Sequence, residues 1–149
     1  MSSTAKEEER TQYLRAIFDG IPMPMFIVDE NVRIQDFNTA AEEFLGPQSA
    51  TALHEVCGDV FHCVNAADHG CGNAEPCHAC IIRNSVKKAA SGEIIQRKMH
   101  VAKVRTLTRT FTQELLVSAN LLPYTEAPRV LLVLEDLSRI DALRKTRKS

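Results

Sequence analysis

The sequence has 149 residues, of which 44% are hydrophobic and 25% charged, which favours one globular domain with a hydrophobic core. The formal net charge of −1 gives no electrostatic reason to expect a nucleic-acid partner. The longest apolar runs are too short to span a bilayer, so no membrane association is expected. The N-terminus is polar and acidic, unlike a secretory signal, which predicts a cytoplasmic protein.

The first predicted element is a lead helix within residues 1–20, spanning Ser3–Asp19. Gly20 and Pro22 end this helix. Its apolar residues recur at helical spacing: Tyr13, Leu14, Ile17 and Phe18. This apolar stripe predicts either packing on the helix's own domain or a dimer interface, and a homodimer through the helix is the expectation we carry forward.

A β-hairpin is predicted after the lead helix. Met25–Val28 forms an apolar strand and Asp29-Glu30-Asn31 a tight turn, and the second strand continues through Val32 and Ile34 towards Phe37.

The next predicted element is a short helix, TAAEEFL, capped by Asn38 and ended by Gly46-Pro47. After Cys80 the segment IIRNSVKKAA predicts another helix, closed by Ser91-Gly92. Three strands follow: Ile94–Val104, Phe111–Leu122 and Val130–Leu134. The element order is therefore β-β-α, then α-β-β-β.

The two ends of this pattern resemble a known family. The run IFDGIPMPMFIVDENVRIQDFNTAAEEFLG resembles the opening of a PAS sensor domain, in which a lead helix enters a hairpin and an asparagine, here Asn38, opens a short helix. The run RVLLVLEDLSRIDALRK resembles the last PAS strand, whose closing Asp136-Leu137-Ser138 leads into an exit helix.

The resemblance implies an α+β PAS fold, a five-stranded antiparallel sheet with flanking helices and a cysteine-rich loop. The PAS domain would cover residues 21–137, with the cysteine-rich segment at 57–80 and an exit helix and basic tail at 138–149. It implies a sensory role that acts on a downstream signalling protein. No catalytic motif such as GxSxG or HExxH is present, so an enzyme is not expected.

All five cysteines lie between Cys57 and Cys80, with the spacing Cys57-x5-Cys63-x7-Cys71-x5-Cys77-x2-Cys80. In a reducing compartment, clustered cysteines indicate metal ligands or redox centres more often than disulfides. The final CxxC lets two thiolates bind one metal from a turn, and the positive end of the helix that follows favours the thiolate form.

Four thiolates suffice for tetrahedral zinc or for an iron–sulfur cluster. The stretch GDVFHCVNAADHGCGNAEPCHAC resembles a cysteine-rich segment of some bacterial PAS sensors, and this resemblance selects Cys63, Cys71, Cys77 and Cys80 as the ligands. Cys57 lies outside the pattern and is interpreted as a small buried apolar residue. The segment is too polar to fold by burial alone, so a metal would supply its folding energy.

Several identities of this site stay open. The family resemblance favours an iron–sulfur cluster that senses redox state or oxygen, because PAS domains commonly carry a sensory cofactor. Structural zinc in a protein-interaction module is the alternative, and a noncovalent haem ligated by a histidine of this region is a further one. A thiol oxidoreductase using Cys77 and Cys80 is disfavoured, because such a motif belongs in a strand–CxxC–helix context within an α/β fold.

Overall fold

The computed structural model describes residues 3–57, 80–105, 108–123 and 125–137. The helices are α1 (Ser3–Gly20), α2 (Thr39–Leu45) and α3 (Ile81–Ala90), and a 3₁₀ turn (Gly46–Thr51) follows α2. The strands are β1 (Met25–Val28), β2 (Ile34–Phe37), β3 (Ile95–Arg105), β4 (Thr110–Leu121) and β5 (Val130–Asp136). The predicted lead helix, hairpin, Asn38-capped helix and three C-terminal strands are all present. The predicted exit helix lies outside the described residues.

The five strands form one sheet in the order β2-β1-β5-β4-β3, and every neighbouring pair is antiparallel. One face of the sheet carries the core, because alternate residues of its central strands are buried and α3 packs across β3, β4 and β5. The buried residues of β1, β4 and β5 are Phe26, Val28, Leu115, Val117, Ala119, Val130, Leu132 and Leu134. This architecture confirms the predicted α+β fold with a five-stranded antiparallel sheet.

The hairpin turn is longer than the sequence predicts, and the assignment of Val32 to the second strand was wrong. Asp29 Oδ1 accepts hydrogen bonds from the backbone N–H groups of Asn31 and Arg33, each at 2.9 Å. This side chain closes the turn at Arg33, so Val32 lies inside it with a φ of 65°. A β-branched residue rarely adopts that conformation. Burial of the Val32 side chain, which is 1% exposed, offsets its conformational cost.

Asn38 joins the lead helix to the sheet and to α2. It is 1% exposed, and its Oδ1 accepts hydrogen bonds from the backbone N–H of Ala41 at 2.9 Å and of Met25 at 3.0 Å. Its Nδ2 donates to three carbonyl oxygens at and after the end of α1, those of Phe18, Ile21 and Met23, at 2.9, 3.3 and 3.0 Å. One side chain therefore caps α2, fixes the start of β1 and binds the end of α1.

A second, more exposed contact ties α1 to β2. Arg15 Nη1 lies 2.7 Å from Asp36 Oδ2, and Arg15 Nε lies 3.0 Å from Asp19 Oδ2. Asp19 Oδ1 in turn accepts a hydrogen bond from the backbone N–H of Thr39 at 3.1 Å. The hydrogen bond with Asp36 raises the pKa of Arg15 above its ordinary value. Because these side chains are largely in water, each ion pair contributes less than about 1 kcal/mol, so Asn38 is the stronger connection.

We expect Asn38→Ala to lower the free energy of unfolding by roughly 2–4 kcal/mol, because it removes an N-cap and leaves buried backbone groups without partners. Asn38→Asp is the matched variant. It keeps an acceptor for Met25 and Ala41 but cannot donate to the carbonyls at the end of α1. Hydrogen exchange should therefore show α1 alone losing protection in the Asp variant, and both α1 and α2 losing it in the Ala variant. Equal protection patterns in the two variants would contradict this division of roles.

Candidate functional site

The predicted metal ligands fall on both sides of the boundary of the described structure. Cys63, Cys71 and Cys77 lie outside the described residues, and Cys80 lies within them. The four-cysteine site therefore stays a prediction. Within the described ranges, no group of three or more His, Cys, Asp or Glu side chains is placed to hold a metal ion.

Cys80 is the residue immediately before α3. Its backbone is extended, with φ −65° and ψ 119°, and its carbonyl accepts the first hydrogen bond of the helix, from Asn84 N at 2.9 Å. Its side chain is half-buried and packs against the hydrophobic core beside Ile81. The sequence correctly places Cys80 at the start of a helix.

The segment is also fixed at its other end, by Cys57. This residue is 1% exposed and belongs to the hydrophobic core, as the sequence predicts for a small apolar residue. Its backbone N–H donates to the carbonyl of Val32 at 3.0 Å, and the preceding Val56 forms a β-bridge with Arg33. The hairpin turn thus holds the chain in place just before the cysteine-rich segment.

The two described residues that flank residues 58–79 are therefore both anchored in the core. Cys57 precedes them beside the hairpin turn, and Cys80 follows them at the start of α3. Fixing both ends of a segment lowers the conformational entropy of the chain between them.

A cluster of polar side chains lies near the C-terminal end of β5, on the face of the sheet that packs against the helices. Gln113 Nε2 donates to Asp136 Oδ2 at 3.2 Å. His100 is opposite Leu115 on β3, and Leu115 is opposite Asp136, so the three residues form one row across the strands. Burial of His100 lowers its pKa below the ordinary value of 6.5. Because no sequence motif surrounds His100, only the strand register reveals this arrangement.

The apolar stripe of α1 lies mostly in solvent. Tyr13, Leu14 and Ile17 are 62%, 61% and 60% exposed, whereas Phe18 is half-buried. The contacts made by Arg15 and Asn38 hold the C-terminal half of α1 and leave these three side chains uncovered by the described residues. Within the described ranges, no helix combines the length and the apolar character needed to cross a membrane.

Sequence reasoning missed Arg15 and Asp36 as the contact between the lead helix and the hairpin. They are separated by 21 residues, so their pairing depends on the fold. The sequence offers one local signal at this place. Arg15 and Asp19 are four residues apart on a helix, a spacing that favours an ion pair between these two side chains.

Comparison with protein families supports the pattern seen in the sequence. Residues 12–76 match the family model of the PAS domain. The match runs from within α1 through the hairpin and α2 into the cysteine-rich segment. No curated protein matches the sequence.

Solved structures of PAS domains share the fold over most of the chain. The PAS domain of an HTR-like protein from Haloarcula marismortui has a TM-score of 0.57 and 17% identity, covering 89% of this chain and 96% of its own. The PAS domain of nitrogen regulation protein NR(II) from Vibrio parahaemolyticus has a TM-score of 0.57 and 14% identity, and the match covers 83% of this chain and 96% of that domain. A domain of a sensory box sensor histidine kinase/response regulator from Geobacter sulfurreducens has a TM-score of 0.52 and 22% identity. This match covers 83% of this chain and 92% of that domain.

The chain therefore has the PAS fold, as its two terminal motifs predict. The family match covers the N-terminal part, and the shared fold extends the likeness through β3, β4 and β5.

The lowered pKa of His100 predicts a pH-dependent stability. In the unfolded chain His100 has its ordinary pKa. As the pH falls through about 6.5, the unfolded state therefore binds more protons than the folded state. The stability that is present above this pH is lost below it. Chemical denaturation should show the wild type losing more stability than His100→Gln between about pH 8 and about pH 5. The other titrating groups are common to both proteins, so identical pH profiles would show that His100 is not responsible.

Proposed function

We propose that this PAS domain is a sensory module of a signal-transduction protein, and that its cysteine-rich segment holds a metal centre. The ligands are Cys63, Cys71, Cys77 and Cys80, as the family resemblance selects. The favoured group is an iron–sulfur cluster that responds to redox state or oxygen. Structural zinc in a PAS-type interaction module is the second candidate, supported by the anchoring of the segment at both ends, which suits a fold-stabilising metal.

The observation that carries the proposal is the position of Cys80. It is half-buried against the core and immediately precedes α3, which packs across β3, β4 and β5. A change in the bonds of the Cys80 sulfur would therefore act on the start of a helix that covers most of the sheet. A packed interface of this kind responds by shifting between alternative arrangements rather than by gradual bending.

The donor chemistry fits the proposed group. Thiolates are the preferred ligands of both zinc and iron–sulfur clusters. Cys80 is the N-cap of α3, where the positive end of the helix dipole would favour a thiolate ligand. An iron–sulfur cluster would supply a one-electron redox change, which zinc cannot.

The signalling role is supported by the proteins that share the fold. One similar domain belongs to a sensor histidine kinase/response regulator and another to a nitrogen regulation protein. By analogy, we infer that this domain regulates a downstream signalling protein and is not itself an enzyme.

The lead helix is the proposed dimer interface. Tyr13, Leu14 and Ile17 together form an exposed apolar stripe on a helix whose C-terminal half is fixed to the domain. A second copy of the helix would remove these side chains from water, at roughly 25 cal/mol per Å² of apolar surface buried. In such a homodimer, the Arg15 and Asn38 contacts would connect the interface to β1 and β2.

The metal centre is tested on protein purified without oxygen. We expect about one cluster or one zinc ion per chain by metal analysis. A brown protein with visible charge-transfer absorption would identify iron–sulfur, and a colourless zinc protein would identify the structural alternative. Protein that folds with neither metal would refute the four-cysteine site.

Single cysteine variants test the choice of ligands. Cys77→Ala and Cys80→Ala should lose the metal, whereas Cys57→Ala should keep it and lose about 1 kcal/mol of stability as a core truncation. Comparable metal loss in all three variants would show that the choice of ligands is wrong.

The dimer is tested by placing charges on the stripe. Leu14→Glu combined with Ile17→Glu should give a monomer by sedimentation, because two carboxylates per chain would be brought into the interface. Gln12→Glu combined with Ala16→Glu adds the same charge outside the stripe and should leave the dimer intact. A wild type that is monomeric at high micromolar concentration, or a dimer that withstands the stripe variant, would rule out this interface.

A further inference from the structure

β3 is an edge strand, and no described strand pairs with its outer side. It spans 11 residues at the end of the strand order β2-β1-β5-β4-β3. Among the described elements, only β4 pairs with it. In an antiparallel edge strand, part of the main-chain N–H and C=O groups point away from the sheet and are available to another strand. The edge is interrupted only near its start, where the register shifts between Ile95 and Lys98.

The face of β3 that points away from the helices is apolar at its centre and basic at its C-terminal end. Met99 and Val101 are 51% and 53% exposed and lie opposite Leu116 and Glu114 of β4. Lys103 follows on the same face by strand alternation, and then Arg105; both are exposed. The result is one row with two apolar side chains followed by two cations.

The charge of this region differs from that of the whole chain. Residues 95–114 contain five Lys or Arg and one Glu, a net charge of +4, whereas the whole chain has −1. Arg97 is paired with Glu135, with Nε 3.3 Å from Oε1. No carboxylate partner is present for Lys103 or Arg105 within the part of the chain that the structure describes.

We propose that the exposed edge of β3 is a docking site for an extended, acidic segment of a partner protein, which adds to the sheet as a sixth strand. The main-chain groups of β3 would supply the hydrogen bonds of strand addition. The side chains of β3 would select the partner. Apolar residues of the partner would contact Met99 and Val101. Acidic residues two and four positions along the partner from the residue opposite Val101 would contact Lys103 and Arg105.

A second copy of this chain fits the edge poorly. Antiparallel pairing of two β3 strands centred on Val101 would place Arg97 opposite Arg105, and like charges directly opposite each other are destabilising. A nucleic acid would match the cations but has no main-chain groups to continue the sheet, and it would leave Met99 and Val101 against phosphates. An acidic polypeptide satisfies the charges, the apolar pair and the main-chain edge together.

Basic residues on an edge strand can also serve only to prevent aggregation, and the experiment separates that role from docking. The probe is a labelled, end-blocked peptide with Thr at every second position. The positions between the Thr residues hold Glu, Glu, Val, Val and Glu, in that order along the peptide. Its binding to the full chain is followed by fluorescence anisotropy and by backbone amide chemical shifts. We expect saturable binding, with shifts concentrated in β3. A peptide with Lys in place of Glu should not bind, and N-methylation of alternate residues should abolish binding by removing the strand hydrogen bonds.

Charge reversal on the protein provides the matched test. Lys103→Glu combined with Arg105→Glu should weaken binding of the Glu peptide about tenfold, because two exposed charge pairs become repulsive, and should create binding of the Lys peptide. Lys87→Glu combined with Lys88→Glu makes the same charge change on exposed residues of α3 and should alter the affinity by less than about twofold.

Three results would overturn the proposal. The first is the absence of binding by the Glu peptide at millimolar concentration, which would leave the cations a purely protective role. The second is equal binding of the N-methylated peptide, which would indicate attraction without strand addition. The third is full competition by a single-stranded oligonucleotide that binds more tightly than the peptide, which would identify a nucleic-acid surface instead.

Discussion

The carboxamide of Asn38 is the contact on which the arrangement of the N-terminal half depends. It is buried, and its five side-chain hydrogen bonds reach the end of α1, the loop before β1, the first residue of β1 and the first turn of α2. In a water-poor environment an amide without partners is costly, so these groups stay together or separate together. A hydrophobic residue of similar size in place of Asn38 would leave several main-chain groups unpaired.

This constraint gives the C-terminal half of α1 two different sides. One side is held by Asn38 and by the pairing of Arg15 with Asp36, whereas Tyr13, Leu14 and Ile17 extend their side chains into solvent. Regions with few buried contacts open at lower free energy than the core. An orientation imposed at the exposed stripe would reach β1 and β2 through the contacts of Asn38 and Arg15.

Local chemistry explains what the sequence could predict. The hairpin, the Asn38 cap and the position of Cys80 before a helix follow from residue types within a few positions of one another. Val32 was misassigned because the Asp29 side chain, not the backbone pattern, sets the length of the turn. The Arg15 contact and the exposed edge of β3 require the strand order, which no local pattern contains. The proposed sulfur site was predicted from cysteine spacing together with the family resemblance, and three of its residues lie outside the described structure.

The pairing of β1 with β5 also has a consequence for how the domain can be combined with others. The two strands are antiparallel neighbours at the centre of the sheet, with Met25 opposite Val133. The chain thus enters and leaves the sheet on the same side, at strands about 4.8 Å apart. A unit with adjoining attachment points can be spliced into a larger polypeptide without separating the segments that flank it.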